Sequence, residues 1–362
     1  MMSVDSFLSL LQDDKAELIS KAYEKKERIY EKIVTFSRNI FVPVTHQCRN
    51  RCGYCSFVSD DSNSWITPDR LEYILMKAKN AQCDEVLFTL GEKPEEKYPS
   101  AREFLALYGY DSTVEYVIEF CNMALEEKLL PHSNLGVVTY DELKLLKQYN
   151  ASLGLMLETS SSRLLGEGQP HHLSPGKNPE TRLEVIRNAG KLKIPFTSGL
   201  LIGIGETWEE RIDSLLILRE ISEKYKHIQE IIIQNFNPQS GTPMEGYLPP
   251  SDEEFLLTIS LARLILPSEV NVQIPPNLNE DRIISSLKHG ANDLGGISPA
   301  SIDYINPEKR WHTETQLKEI ISKESYILQK RLPVYPQYEK YLNSRIREII
   351  EEYYQNEETL ST

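Results

Sequence analysis

Residues 40–57 read IFVPVTHQCRNRCGYCSF. An apolar run (40–45) is followed at once by three cysteines, Cys48, Cys52 and Cys55, with three and then two residues between them. The run is short and rich in β-formers, so it reads as a strand buried on both faces. Such strands belong to parallel sheets covered by helices. The cysteines then lie in the loop that leaves the C-terminal end of the first strand.

The rest of the chain repeats that unit. Further runs are EVLFTL (85–90), LGVVT (135–139), LGLML (153–157), FTSGLLIG (196–203), EIIIQNF (230–236), NVQI (271–274) and NDLGGI (292–297). Helical periodicity fills the intervals at 69–80, 112–128, 141–149, 179–191, 207–225, 251–265 and 279–288. The first of these follows Thr67-Pro68, a cap residue and a proline at the helix start. Strand and helix alternating about eight times over ~260 residues predict an α/β fold, a (β/α)8 TIM-type barrel, whose active site forms at the C-terminal ends of the strands. The expected organisation is an N-terminal helical extension over 1–38 (Phe7, Leu8, Leu11, then Leu18, Ile19 and Ala22), a barrel over 39–323, and a charged helical tail over 324–362 packed outside it.

The 362 residues carry 40 Lys and Arg against 54 Asp and Glu, a formal net charge of −14. That balance suits neither nucleic acid nor an anionic membrane surface, both of which are bound through cationic side chains. No apolar run approaches the ~18–20 residues that span a bilayer. The acidic start, MMSVDSFLSLLQDD, does not read as a signal peptide. A cytoplasmic location is the expectation, and there clustered cysteines point to metal binding or catalysis and not to disulfides.

Three thiols leave several readings open. A structural zinc site wants four ligands, commonly two separated pairs. An electron-transfer cluster also wants four thiolates. His46 as a fourth ligand fits no common finger spacing, and the grouping could be incidental. The remaining reading is a 4Fe-4S cluster held by three cysteines, with one iron left open for a substrate. Cys83 and Cys121 read as buried small hydrophobes, and His171-His172 as a surface loop.

The spacing resembles that of the radical S-adenosylmethionine (SAM) superfamily. The resemblance implies a radical SAM barrel in which Cys48, Cys52 and Cys55 are the metal ligands. The open iron takes the amine and carboxylate of SAM, and reductive cleavage gives a 5′-deoxyadenosyl radical. It implies cofactor contacts at Tyr54 beside adenine, at Gly91 and Glu92 in FTLGEKPE (88–95), at Glu158 and Ser160 in LMLETSS (155–161), and at Gly203 and Ile204 in GLLIGIGET (199–207). The last segment departs from a dinucleotide fingerprint, because Trp208 stands at the third glycine position.

Over residues 40–330 the words CRNRCGYCSF, FTLGEKPE, LGLMLETSS, IPFTSGLLIGIGET, IIIQNFNPQSGTPM, IPPNL and GANDLGGISPASIDYINPE are similar to one subfamily. It is subunit 1 of 7,8-didemethyl-8-hydroxy-5-deazariboflavin synthase, the CofG family. Leu294 and the EKRWH stretch (308–312) depart from that pattern near the substrate end. The resemblance implies a lyase-type synthase of deazaflavin coenzyme biosynthesis. Its substrate is the small-molecule adduct of a hydroxybenzyl group and ribityl-uracil, which it cyclises with loss of ammonia. A CofH-like subunit supplies the adduct and an external electron donor reduces the cluster. Asn235 and Asp293 are expected on the substrate, with Asp293 moving a proton; the alternative is that Asn292-Asp293 is only turn chemistry. Two other readings stay open: the CofH-like coupling reaction of tyrosine with 5-amino-6-ribitylamino-uracil, or another radical SAM enzyme; and a non-catalytic module stabilised by zinc or an iron-sulfur cluster.

Overall fold

Alternation of inward and outward side chains on short apolar strands closes the sheet into a barrel. The computed structural model describes residues 3–361. The strands are β1 (Ile33–Pro43), β2 (Glu85–Thr89), β3 (Leu130–Asn134), β4 (Ser152–Gly154), β5 (Phe196–Ile202), β6 (Ile228–Asn235), β7 (Asn271–Gln273), β8 (Asp293–Ile297) and β9 (Ile327–Arg331). Among the described residues, β1 to β8 pair in parallel in chain order. β8 returns to pair with β1, which also pairs with β2 and so closes an eight-stranded (β/α)8 barrel. Outward side chains such as Val34, Phe36, Val42, Val86, Phe88 and Ile231 pack under the helices in one continuous core.

Sequence caps set the helix starts. Thr139, Thr207 and Ser251 each form a capping box with a glutamate three positions on. Pro68 and Pro179 occupy the first turn of their helices. At the N-terminus, helices Val4–Asp13 and Lys15–Tyr30 meet at Asp14, whose carboxylate caps the second.

Three features differ from the sequence expectation. The first strand begins at Ile33, inside the stretch read as helical. The third strand is LPHSN (130–134), and LGVVT runs on as loop. Pro131 and the polar inward residues disguise the strand, while Gly136, at φ 79°, ends the extended run. The tail does not stay outside: β9 pairs with the lower half of β1, Ile33 to Ser37, beneath β2. The chain then crosses under the barrel. The Pro333 carbonyl accepts from Ser152 Oγ (2.7 Å) and Gln229 Nε2 (2.9 Å).

Arg331 points up through this floor. Its guanidinium bonds Asp293 (2.6 and 2.9 Å) and Glu230 (2.8 Å). Asp293 also accepts from Thr35 Oγ1 (2.5 Å), Tyr335 OH (2.8 Å) and the Gly295 amide (2.6 Å). Removing one partner of a buried ionic group leaves uncompensated charge, at a cost of ~3–5 kcal/mol. Arg331→Met should therefore lower the thermal midpoint sharply or leave the chain insoluble, whereas Lys318→Met, at an exposed position, should not. An unchanged midpoint for Arg331→Met would show that the floor is held by the backbone alone.

Candidate active site

The strand ends surround a cavity of about 420 Å³ that runs from the cysteine loop down to Arg331. That volume lies in the range of small-molecule sites. Cys48, Cys52 and Cys55 all line it, together with Tyr54, Gly91, Glu92, Glu158 and Asn235. All five cysteines of the chain are free thiols.

The cysteine loop is pinned on two sides. The Arg49 amide donates to the Glu92 carbonyl (2.9 Å), and the Gly53 amide to Pro170 (2.7 Å). Cys48 Sγ accepts the Glu92 amide at 3.1 Å, and Ser174 Oγ donates to Cys52 Sγ at 3.3 Å. Burial pushes the Cys55 thiol up to about 11 and raises Cys48 as well. Among the described residues, no three His, Cys, Asp or Glu side chains are grouped as ligands of a single metal ion. His46 bonds the Phe57 carbonyl through Nδ1 (2.8 Å) and packs against the Phe57 ring, tilted by 35°.

Gly91 has no room for a side chain: an added Cβ would lie 1.9 Å from the Gln47 carbonyl oxygen and 2.7 Å from Cys48 Cβ. This close approach of backbones brings the β2 loop against the cysteine loop. Glu92 beside it is buried, and its carboxylate is fully engaged. It accepts from Arg49 Nε (2.8 Å) and the Val137 amide (3.0 Å), with Arg182 at 3.9 Å. Gly176 and Gly136 make space for it, since a Cβ on either would come within 1.8 or 2.3 Å of its oxygens.

Glu158 sits across the cavity with a left-handed φ of 66°. Its carboxylate accepts from Lys177 Nζ at 2.5 Å. Burial alone would push Glu158 up, but Lys177 and Arg182 hold it below the ordinary carboxylate range. Tyr54 OH meets His171 Nε2 at 3.0 Å. Burial pushes His171 down to about 3, so its ring is neutral.

Several expected residues stand elsewhere. Ser160 is turned to the helix Trp208–Tyr225, where its Oγ donates to Asp213 (2.7 Å). Gly203 and Ile204 are not among the cavity-lining residues. Their amides are capped by Glu206, and Ile204 packs behind Tyr54 with Leu164, Leu201, Phe236 and Met244. Asp293 is also outside the lining: it begins β8, at the floor end, with both oxygens taken. Burial would raise it, but Arg331 holds it below its usual range, the surroundings of a fixed counter-ion. Asn292 likewise bonds Arg263, the Val272 amide and Asn271. Asn235 does reach the cavity, accepting from Asn279 Nδ2 at 2.9 Å.

Other residues that build the site had no signal in the sequence. Lys177 and His171 lie in PHHLSPGKNPE, which reads as surface loop, yet His171 is buried. Glu85 and His132 begin or interrupt apolar strands, and Arg331 belongs to the tail.

A model of the radical SAM superfamily matches residues 42–218. The chain is 47% identical over 325 residues to 7,8-didemethyl-8-hydroxy-5-deazariboflavin synthase of Methanopyrus kandleri, covering 88% of this chain and 97% of that protein. It is 44% identical over 350 residues to the synthase of Methanocaldococcus jannaschii, covering 96% and 97%. The chain belongs to the 7,8-didemethyl-8-hydroxy-5-deazariboflavin synthase family of radical SAM enzymes. Among solved structures, methylornithine synthase (PylB) superposes with a TM-score of 0.72 at 20% identity, covering 94% of this chain and 97% of that one. The FeFe-hydrogenase maturase HydG from Carboxydothermus hydrogenoformans gives 0.73 at 17%, covering 97% and 87%. At those identities the likeness is one of fold. No helix among the described residues is long and apolar enough to cross a membrane.

In this synthase-family barrel, burial pushes the lumen residue Glu85 up to about 7. An unfolded chain releases that proton near the ordinary value, so in the window between the two the folded state binds more protons, and stability falls as pH rises. Glu85→Gln removes the effect. Its thermal midpoint should exceed the parent's at about pH 8 by a few degrees, and the gap should close towards about pH 4. A gap independent of pH would mean that Glu85 is already ionised in the fold.

Proposed function

We propose that the chain completes the deazaflavin ring system: it cyclises the hydroxybenzyl–ribityl-uracil adduct to 7,8-didemethyl-8-hydroxy-5-deazariboflavin, with loss of ammonia. The observation that carries this reading is one cavity shared by three unpaired thiols and a deep polar lumen, in a chain nearly half identical to synthases of that name. Cys48, Cys52 and Cys55 would hold a 4Fe-4S cluster. Three thiols set around one cavity suit a cluster in which each thiolate takes its own iron, and the donor set leaves a fourth iron without a protein ligand. With SAM bound, such a cluster would supply the one-electron chemistry that makes a 5′-deoxyadenosyl radical, able to take a hydrogen atom from the adduct.

The chain's own groups then orient and enclose. Gly91 keeps the β2 loop low enough for backbone contact with the methionyl part of SAM. Glu158 offers that part a carboxylate, shared with Lys177. Glu92 serves by bracing the cysteine loop through Arg49. Tyr54, fixed by His171 and backed by Ile204, walls the side for adenine. Asn235, steadied by Asn279, presents an amide edge to the pyrimidine. Asp293, held by Arg331, is given no role in proton transfer in this reading. A CofH-like subunit as source of the adduct, an external electron donor and a reducing cytoplasmic setting complete the proposal.

The test is an anaerobic assay with iron and sulfide reconstitution, SAM, a reductant and the adduct, read as 5′-deoxyadenosine and as deazaflavin fluorescence. Both should appear together. SAM cleavage that needs tyrosine and 5-amino-6-ribitylamino-uracil instead would assign the coupling reaction. Cys48→Ala, Cys52→Ala and Cys55→Ala should each yield colourless protein that cleaves no SAM. Cys83→Ala and Cys121→Ala should keep full iron content, because Cys121 is enclosed with Ser133 and Asn150 and Cys83 bonds the Asn39 carbonyl.

A further inference from the structure

The lumen is chemically divided along its axis. Inward positions alternate along each strand, and the series change character on the way up. On β1 they run Ser37, Asn39, Phe41; on β2, Glu85, Leu87; on β6, Glu230, Ile232. The floor is acidic and hydroxylic, and the belt above it is apolar. Three buried carboxylates, Glu85, Glu230 and Asp293, stand near a single floor cation, Arg331. Asp293 is saturated, but Glu85 and Glu230 both face the cavity.

Hydrogen-bond acceptors are in surplus there. Glu85 Oε2 takes one proton, from Ser37 Oγ at 2.5 Å. Glu230 Oε1 takes one from Thr197 Oγ1 at 2.6 Å and keeps a lone pair, while its Oε2 is held by Arg331 (2.8 Å) and Tyr335 OH (3.4 Å). Asn39, only 2% exposed, has a side-chain oxygen with no partner at all. It lies over Gly296, where any Cβ would come within 2.1 Å of its Nδ2, and Gly154 gives Asn134 the same clearance at 2.0 Å. Glycines on β4 and β8 thus hold space open for polar side chains from neighbouring strands. A buried acceptor without a donor costs stability, so this floor is shaped for something that brings several donors. An anion would be repelled by the carboxylates, and a bare apolar group would strand the acceptors.

We propose that the floor is the seat of the substrate's ribityl chain: its hydroxyls donate to Glu85, Glu230 and Asn39, the pyrimidine lies in the apolar belt, and the hydroxybenzyl end points to the cysteine loop. This rests on the proposed function and deepens it, since it fixes which end of the adduct enters first and why a free polyol is required.

The product deazaflavin is a stable fluorescent probe of that seat. Titrations of the reconstituted protein would compare it with its N-methyl analogue, which lacks the polyol, and with its ribityl 5′-phosphate. The ribityl compound should bind at least about tenfold tighter than either, the scale of one or two hydrogen bonds to charged groups. Glu85→Gln should weaken ribityl binding about tenfold and leave the N-methyl analogue unaffected, so that the selectivity collapses. Should that variant fail to fold, the three-ligand comparison on the parent protein decides alone. Equal affinity for ribityl and methyl compounds, tighter binding of the phosphate, or no binding of any of the three overturns the assignment. Ribityl-selective binding by a protein that forms no deazaflavin would overturn the reaction and leave the floor standing; turnover indifferent to the polyol would do the reverse.

Discussion

Arg331 is the group on which the lower half of this molecule depends. Three carboxylates converge beneath the barrel, and the cation at their centre offsets the cost of burying them. The cation comes from outside the eight βα units, on a ninth strand that pairs with the overhang of β1. Its arrival does two things at once. It neutralises Asp293 completely and Glu230 in part, and its own strand continues across the opening to close it. A barrel that would otherwise be filled by apolar layers becomes a blind cavity with a polar end.

The upper end is built by close backbone approach. Gly91, Gly136 and Gly176 are each forbidden a side chain by the same few groups: the Gln47 carbonyl, Cys48 and the Glu92 carboxylate. Glu92 is the keystone of that packing, tying the cysteine loop through Arg49 to the turn after β3 through the Val137 amide. A second buried pair, Glu158 with Lys177, faces it. The mouth is thereby rigid and charged, and the belt between mouth and floor is apolar. A ligand with a polyol at one end and an aromatic ring at the other meets matching surroundings along its length.

The strand–helix rhythm was legible because these strands are buried on both faces and their helices carry explicit caps; the cysteine loop was legible because thiol spacing is local. What escaped reading was long-range. LPHSN looks nothing like a strand, since its inward residues serve the cavity and not the core. The sequence around Asp293 carries no sign of its partner, Arg331, which is 38 residues away in what reads as a charged helical tail outside the barrel. Ser160 and Ile204 turn away from the cavity, towards Asp213 and towards the back of Tyr54. His171 looked like surface loop because its burial comes from the cysteine loop, to which its segment is tied by the Arg51–Leu173 and Gly53–Pro170 backbone bonds. Motifs named the loops; only the packing decided which side chains enter the cavity.

The central claim is that one lumen holds the whole substrate between an acidic floor and the three thiols. A crystal structure of the anaerobically reconstituted protein with SAM and the product deazaflavin tests it most directly. Ribityl hydroxyls should lie on Glu85 and Asn39, the fused rings beside Leu87 and Ile232, and the phenol end nearest Cys48, Cys52 and Cys55. Product bound the other way round, or seated outside the barrel with the floor filled by water, would contradict it.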